Sequence, residues 1–222
     1  MKSRKIVITV LIVMTYLFQS CDEDRTCLHG GGIVNSYDLS LESFNRVFLY
    51  GPINLRITQG NEQSISIVAE PELYNPLEHK VVNEQLMVGY DDINCFDTDH
   101  GVWVNITVPD LTEIITEGKN TILSEGQLDL AKLSINTSGS ATVELSGQVA
   151  IQEINSDGTI TVNNLNLLTQ TTNINMAGSC DINISCSEVL DVDVEGAAKI
   201  AYLGDPSITQ KSEGSLSLSK LN

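Results

Sequence analysis

The stretch Ser138-Gly139-Ser140-Ala141-Thr142-Val143 returns as Asp157-Gly158-Thr159-Ile160-Thr161-Val162, and again as Ala177-Gly178-Ser179-Cys180-Asp181-Ile182. The glycines that index this series are Gly118, Gly139, Gly158, Gly178, Gly196 and Gly214, with gaps of 21, 19, 20, 18 and 18 residues. Self-similarity at a near-constant period of this size marks a stacked repeat architecture. Four residues after each glycine stand Ile122, Val143, Val162, Ile182, Ile200 and Leu218, all apolar. Four residues before stand Ile114, Ile135, Ile154, Ile174 and Val192; only Gln210, in the last repeat, is polar.

The opposite parity reads differently. Thr121, Thr142, Thr161, Asp181, Lys199 and Ser217 follow the glycines by three, and Glu117, Ser138, Asp157, Ala177, Glu195 and Glu213 precede them by one. Alternation with period two, repeated about every nineteen residues, means short strands with one face inward. One coil cannot bury its own apolar face, whereas stacked coils form a continuous core. The sequence therefore predicts an all-β fold, a right-handed parallel β-helix of about 19-residue coils over residues 111–220. Asn136, Asn155 and Asn175 each lie three residues before a glycine. We expect them to form an inward row bonded from coil to coil, as amide ladders do in other stacked sheets. A row of glycan-contacting asparagines is the alternative.

Residues 44–110 are strand-like but less regular. Ile53, Leu55 and Ile57 alternate, as do Ile65 and Ile67, Leu86 and Val88, and Val102, Val104, Ile106 and Val108. Gly51-Pro52, Gln59-Gly60-Asn61 and Glu70-Pro71 punctuate them. We read broader coils or antiparallel pairs that cap the solenoid's N-terminal end, which is otherwise an open edge. Forty Ile plus Val against eight Ala agrees with strands over helices.

The leader is separate. Lys2, Arg4 and Lys5 precede an uncharged run from Ile6 to Phe18, and Cys21 follows at once. The run fits a signal peptide and is too short to span a bilayer as a helix. Residues 1–20 are read as a lipoprotein signal peptide, Cys21 as the lipidation site, and residues 21–42 as an acidic, Gly-rich tether to one domain over 43–222. Ordinary secretion with cleavage near Ser20 is the alternative. Asp22-Glu23-Asp24 resembles a surface-export signal in some Gram-negative lipoproteins, and an aspartate in that place resembles an inner-membrane retention signal in others. Localisation is thus expected at the cell envelope, at the outer membrane and exposed at the surface, with the periplasmic face as the alternative.

The formal charge is −17. Without residues 1–20, nine basic residues stand against 29 acidic ones, leaving −20. A nucleic-acid partner is excluded on this ground, since such affinity comes mainly from neutralising phosphates. A basic patch on anionic lipid is disfavoured likewise.

The segments Phe44-x-x-Val47, Gly51-Pro52-Ile53-Asn54-Leu55-Arg56-Ile57-Thr58-Gln59-Gly60 and Ser64-Ile65-Ser66-Ile67-Val68-Ala69 resemble the opening of the head GIN domain family. Val104-x-Ile106-x-Val108-Pro109-x-Leu111, the following Glu117-Gly118, and Ser138-Gly139-Ser140-Ala141 continue the resemblance, which covers about 43–218. The family is described as auto-transporter adhesins. The resemblance implies a right-handed parallel β-helix in a bacterial envelope protein and supplies no catalytic residue. The acidic stretch Asp91–His100 departs from the family pattern.

Candidate sites are few. Asp91, Asp92, Asn94, Asp97 and Asp99 lead into Gly101. We read a solvated acidic loop, and a calcium site as the alternative, because the full ligand spacing of a calcium loop is absent. Cys27, Cys95, Cys180 and Cys186 allow three full pairings, and the sequence leaves the pairing open. Cys180 has inward parity and reads as a buried thiol, Cys186 shares that parity, and Cys27 with Cys95 is the least implausible bridge. No Cys or His pair has zinc-ligand spacing. His29, His79 and His100 have no serine in a nucleophile context, so a hydrolase triad has no support. Glu117 with Asp157 is one carboxylate pair that an inverting glycosidase could use. Trp103, of outward parity, is read as covered by a neighbouring coil or loop, with stacking on a sugar as the alternative.

The reading for function is a non-catalytic envelope lipoprotein presenting a solenoid surface for adhesion, or for binding a glycan or protein. A membrane contact through the lipid anchor and no cofactor are expected. The alternatives are a polysaccharide-active enzyme using paired carboxylates, and a periplasmic sensor or accessory lipoprotein.

Overall fold

The computed structural model describes residues 27–91, 93 and 95–222. The signal segment 1–20, Cys21 and Asp22-Glu23-Asp24 lie outside the described residues, as do Asp92 and Asn94. The fold is nearly all β. In chain order the elements are β1 (Leu28–His29), β2 (Asn35–Leu39), β3 (Arg46–Tyr50), β4 (Ile53–Gln59), β5 (Ser64–Ala69), a short helix α1 (Pro71–Tyr74), β6 (Glu78–Val82), β7 (Gln85–Gly89), β8 (Phe96–Asp97), β9 (Val102–Val108), β10 (Glu113–Ser124), β11 (Leu128–Glu144), β12 (Gly147–Leu203) and β13 (Ser207–Lys220).

The repeat frame is observed. β10 pairs with β11 in parallel, with Gly118 opposite Gly139. β11 pairs with β12 in parallel, with Gly139 opposite Gly158, and β12 with β13, with Gly196 opposite Gly214. A Cβ on Gly139 would overlap the carbonyl of Gly118, and the same overlap recurs up the column to Gly214 on Gly196. Gly139 also has φ +103°, which glycine alone adopts without strain. The glycines are therefore the corners at which successive coils touch backbone to backbone.

The inner parity is as expected. Ile114, Ile135, Ile154, Ile174 and Val192 are buried, as are Ile122, Val143, Val162, Ile182 and Ile200. Each such side chain contributes roughly 1.5–3 kcal/mol by leaving water. Thr142, Thr161, Lys199 and Ser217 face solvent. In β13 the inner positions Gln210 and Ser212 are exposed, because no further coil covers them within the described residues.

Three expectations need correction. First, the parallel stack does not begin near residue 111. β3 and β4 pair in parallel with β10, and β7 and β9 pair in parallel with β3 and β4. The coil at 46–59 therefore lies between the later strands 85–108 and 113–124, so the winding is not progressive there. Antiparallel β5 on β9, β2 on β5 and β6 on β7 then cover that end. The eleven-stranded sheet is consequently mixed.

Second, the tether expected over 21–42 does not hold from Cys27 onward. β1 pairs in parallel with β8, β2 joins the main sheet, and Cys27 is bonded to Cys95. A Cβ on Gly30 would overlap the buried Glu70 carboxylate, whereas at Gly31 it would meet only the movable end of the exposed Glu72. The amides of Gly31 and Gly32 donate to Glu72 and Glu70, which ties this stretch to the domain.

Third, the asparagine row forms but faces outward. Asn136 and Asn155 are half-buried and Asn175 is exposed. An offset of three from the glycine is odd, and the inner column is even. Thr116, Thr137, Ser156 and Met176 occupy the inner positions beside it.

Candidate functional site

One groove of about 500 Å³ runs along the outer face before the glycine corners. It is lined by Ile115, Thr116, Glu117, Asn136, Thr137, Ser138, Asn155, Ser156, Asp157, Asn175, Met176, Ala177, Asp193 and Glu195. These are the same three columns contributed by successive coils, so the groove is a direct product of the repeat. Among the described residues, Lys, Arg and His are absent from its lining.

The asparagines form a directed ladder. Asn175 Nδ2 donates to Asn155 Oδ1 at 2.9 Å, Asn155 Nδ2 to Asn136 Oδ1 at 2.8 Å, and Asn136 Nδ2 to Glu113 Oε1 at 2.9 Å. A side-chain amide has two N–H donors, so each asparagine keeps one. Beneath them Thr137 Oγ1 donates to Ser156 Oγ at 2.8 Å. Thr116 is 1% exposed and its hydroxyl has no partner among the described residues.

Glu117 lies opposite Ser138, and Ser138 opposite Asp157. Two strand spacings, about 9.6 Å, separate the two acids along the stack. Carboxyl groups of inverting glycosidases stand roughly 6.5–9.5 Å apart. The pair is brought to one groove with a separation along the stack just above that range.

Other singled-out residues go elsewhere. Trp103 is half-buried, and the Arg56 guanidinium lies 4.5 Å from its ring centroid. The cover is thus a cation on the neighbouring strand. His29 Nδ1 is 2.9 Å from Asp97 Oδ2. Among the described residues no three acidic, His or Cys side chains converge on one point, in the Asp91–His100 stretch or elsewhere. Cys180 and Cys186 are buried and, among the described residues, unbridged. Burial pushes the Cys180 thiol up to about 11. Tyr90 is raised by burial too and donates to the Leu73 carbonyl at 2.6 Å.

The reading from sequence missed Glu70. This residue is 1% exposed, accepts from the Gly32 amide at 2.6 Å, and receives the Thr98 hydroxyl. Its partners lie 38 and 28 residues away in the chain, so no local pattern marks it. Gly51 was also missed as a corner. The insertion between it and Gly118 hides the period.

A family model described as "Putative auto-transporter adhesin, head GIN domain" matches residues 43–206. The chain belongs to this family of adhesin-like proteins. Membership gives it an adhesion-like role and an association with the cell envelope or surface. Among solved structures, a "putative adhesin" of Bacteroides fragilis matches with TM-score 0.70 at 19% identity, over 87% of this chain and 99% of that one. A "putative lipid binding protein" of Parabacteroides distasonis matches with TM-score 0.57 at 18% identity, over 89% and 100%. A "putative adhesin" of the same species gives TM-score 0.54 at 16% identity, over 87% and 99%. At these identities the likeness establishes the fold. No curated protein matches the chain.

Proposed function

We propose that the chain is a lipid-anchored, non-catalytic adhesin-like protein of the bacterial cell envelope, held at the outer membrane through Cys21. In this reading residues 111–220 wind as a right-handed parallel solenoid, the hand that parallel crossovers adopt. The solenoid presents its groove to a glycan or protein outside the cell. The observation that carries the reading is the ladder of Asn136, Asn155 and Asn175 lining one groove with carboxylates from alternate coils. Such a surface offers repeated, evenly spaced contacts to an extended partner.

The test is protease accessibility on intact cells, with lysed cells as control, beside a Cys21→Ala variant. Adhesion requires cleavage on intact cells and release of the variant from membranes. Cleavage only after lysis would replace adhesion with a periplasmic sensor or accessory role. The enzyme reading has one supporting observation, the placement of Glu117 and Asp157 in the groove. A reducing-sugar assay on a panel of polysaccharides, lost in Asp157→Asn, would establish it in place of the proposal.

A further inference from the structure

We propose, independently of the adhesion reading above, that strand β13 is the face at which two copies of this chain join tail to tail in a closed dimer. β13 ends the strand order of the main sheet and, among the described residues, pairs only with β12. Such an edge presents a row of unpaired N–H and C=O groups, ready for another strand. The opposite end of the stack is closed differently. Antiparallel β5, β2 and β6 cover it. Its outer edges, β2 and β6, are five residues each, against fourteen in β13, and β6 carries the Glu78–Lys80 ion pair. Short and charged edges discourage further pairing.

The inner column is uncovered at β13. Ile208, Gln210, Ser212, Leu216 and Leu218 stand directly over Leu190, Val192, Val194, Ala198 and Ile200. The lower five are buried, whereas the upper five are exposed or half-buried. Gln210, Ser212, Gly214, Leu216 and Leu218 line an open concavity of about 430 Å³. Ile208, Leu216 and Leu218 thus keep the aliphatic character of the column where no coil covers them.

Shape selects a second copy as the occupant. β13 turns at Gly214, where φ is +145°, between arms of nearly equal length, 207–213 and 215–220. A straight strand from another protein could follow only one arm. A strand bent at its own middle follows both, and β13 is such a strand. A two-fold axis through the paired Gly214 corners lays each arm antiparallel on the other. It sets Lys211 opposite Ser217 of the second copy, Ser212 opposite Leu216, Gln210 opposite Leu218 and Glu213 opposite Ser215. Inner positions then meet inner positions, and no charge stands directly opposite a like charge, which would destabilise the pair. The two-fold contact closes at two copies, whereas a head-to-tail join would leave an open filament. Fourteen residues a side are fewer than the roughly 20–30 of a standard interface, so the dimer should be reversible.

The test is sedimentation velocity on the chain from Cys21 onward, carrying Cys21→Ala so that no lipid drives association. The species observed should shift from monomer to dimer as concentration rises, and stop there. Ser212 is exposed in the single chain, so Ser212→Asp retains the fold. It would set a carboxylate against Leu216 twice per dimer and should weaken dimerisation roughly tenfold. Val82→Asp, on β6 at the other end, should leave dimerisation unchanged. Cross-linking reads the register. Residues directly opposite in an antiparallel pair have Cα atoms roughly 4.5–5.5 Å apart, within reach of a disulfide. Lys211→Cys combined with Ser217→Cys should therefore give a covalent dimer on mild oxidation, and neither substitution alone should. Cys27 and Cys95 are bridged, and Cys180 and Cys186 are buried, so they do not interfere. A chain that stays monomeric at every concentration would overturn the proposal. So would assembly beyond the dimer, an equal loss in Val82→Asp, or a dimer that the paired cysteines fail to link.

Discussion

A Cβ on Gly118 would stand 2.8 Å from the carbonyl oxygen of Gly51. Two residues that bracket β4 to β9 in the chain are thus neighbours in one corner column. Asn120 strengthens the link, since its Nδ2 donates to the carbonyls of Gly51 and Ile53 at 2.9 and 2.8 Å. The regular coils therefore continue the core of the N-terminal region and do not form a separate domain beside it.

The corner column makes a sharp claim about stability. In Gly158→Ala the new methyl would meet the backbone of Gly139, at a φ of +141° that alanine avoids. Backbone cannot move aside cheaply, so a loss of about 3 kcal/mol or more is expected. Gly126→Ala, at φ +83° with open space around it, should cost only about 1–2 kcal/mol. Urea denaturation of both variants measures the contrast. Equal losses would mean that the corner contact carries no weight.

Parity gives a second contrast. Val162 is fully buried and Thr161, next to it, faces solvent. Val162→Asp buries an unpaired charge and should unfold the domain or cost about 4 kcal/mol. Thr161→Lys should stay within about 0.5 kcal/mol of the parent. Circular dichroism and thermal melting distinguish them. A well-folded Val162→Asp would show that the strand register is wrong.

The coils were legible because one residue type recurs where backbone meets backbone. Gly139, Gly158 and Gly178 are obligatory for a steric reason, so the period survives in the sequence. The face of the asparagine ladder was legible only through parity, and the offset of three puts it outside. The sandwiching of 46–59 between later strands leaves no periodic trace, because β9 and β10 present similar alternating faces. The groove was half legible: its asparagines and acids repeat, whereas the end of the ladder on Glu113 emerges only from contacts made in space.

The Cys27–Cys95 bridge closes a separation of 68 residues. It fixes β1 against β8, where Leu28 N donates to the Cys95 carbonyl at 3.0 Å and Gly30 N to the Asp97 carbonyl at 2.9 Å. Loop closure of this length corresponds to about 4 kcal/mol as an upper figure. Mild reductant should lower the melting temperature and open this strap first. Cys180 and Cys186 are buried and should not react with a thiol reagent in the native chain. Two equivalents of native-state labelling without reductant would show that the bridge is absent.

Glu70 makes the same strap sensitive to acid. Its carboxyl is held below its ordinary value, chiefly by the Thr98 hydroxyl, then by the Gly32 amide and the nearby His100, against the opposing effect of burial. A group depressed in the folded state stabilises that state above its unfolded pKa, and the contribution is lost as pH falls through the lower folded value. The strap should therefore stay closed at neutral pH and loosen only below the ordinary carboxylate range. Hydrogen exchange at the Gly32 amide, followed down the acid range, should show the opening. The Gly31 amide donates to Glu72 Oε2 at 3.3 Å and serves as a second reporter beside it. Glu70→Gln keeps an acceptor for Gly32 but no titrating group, so its exchange at Gly32 should lose the acid step. An acid step of the same size in Glu70→Gln would assign the opening to another carboxylate and remove Glu70 from the mechanism.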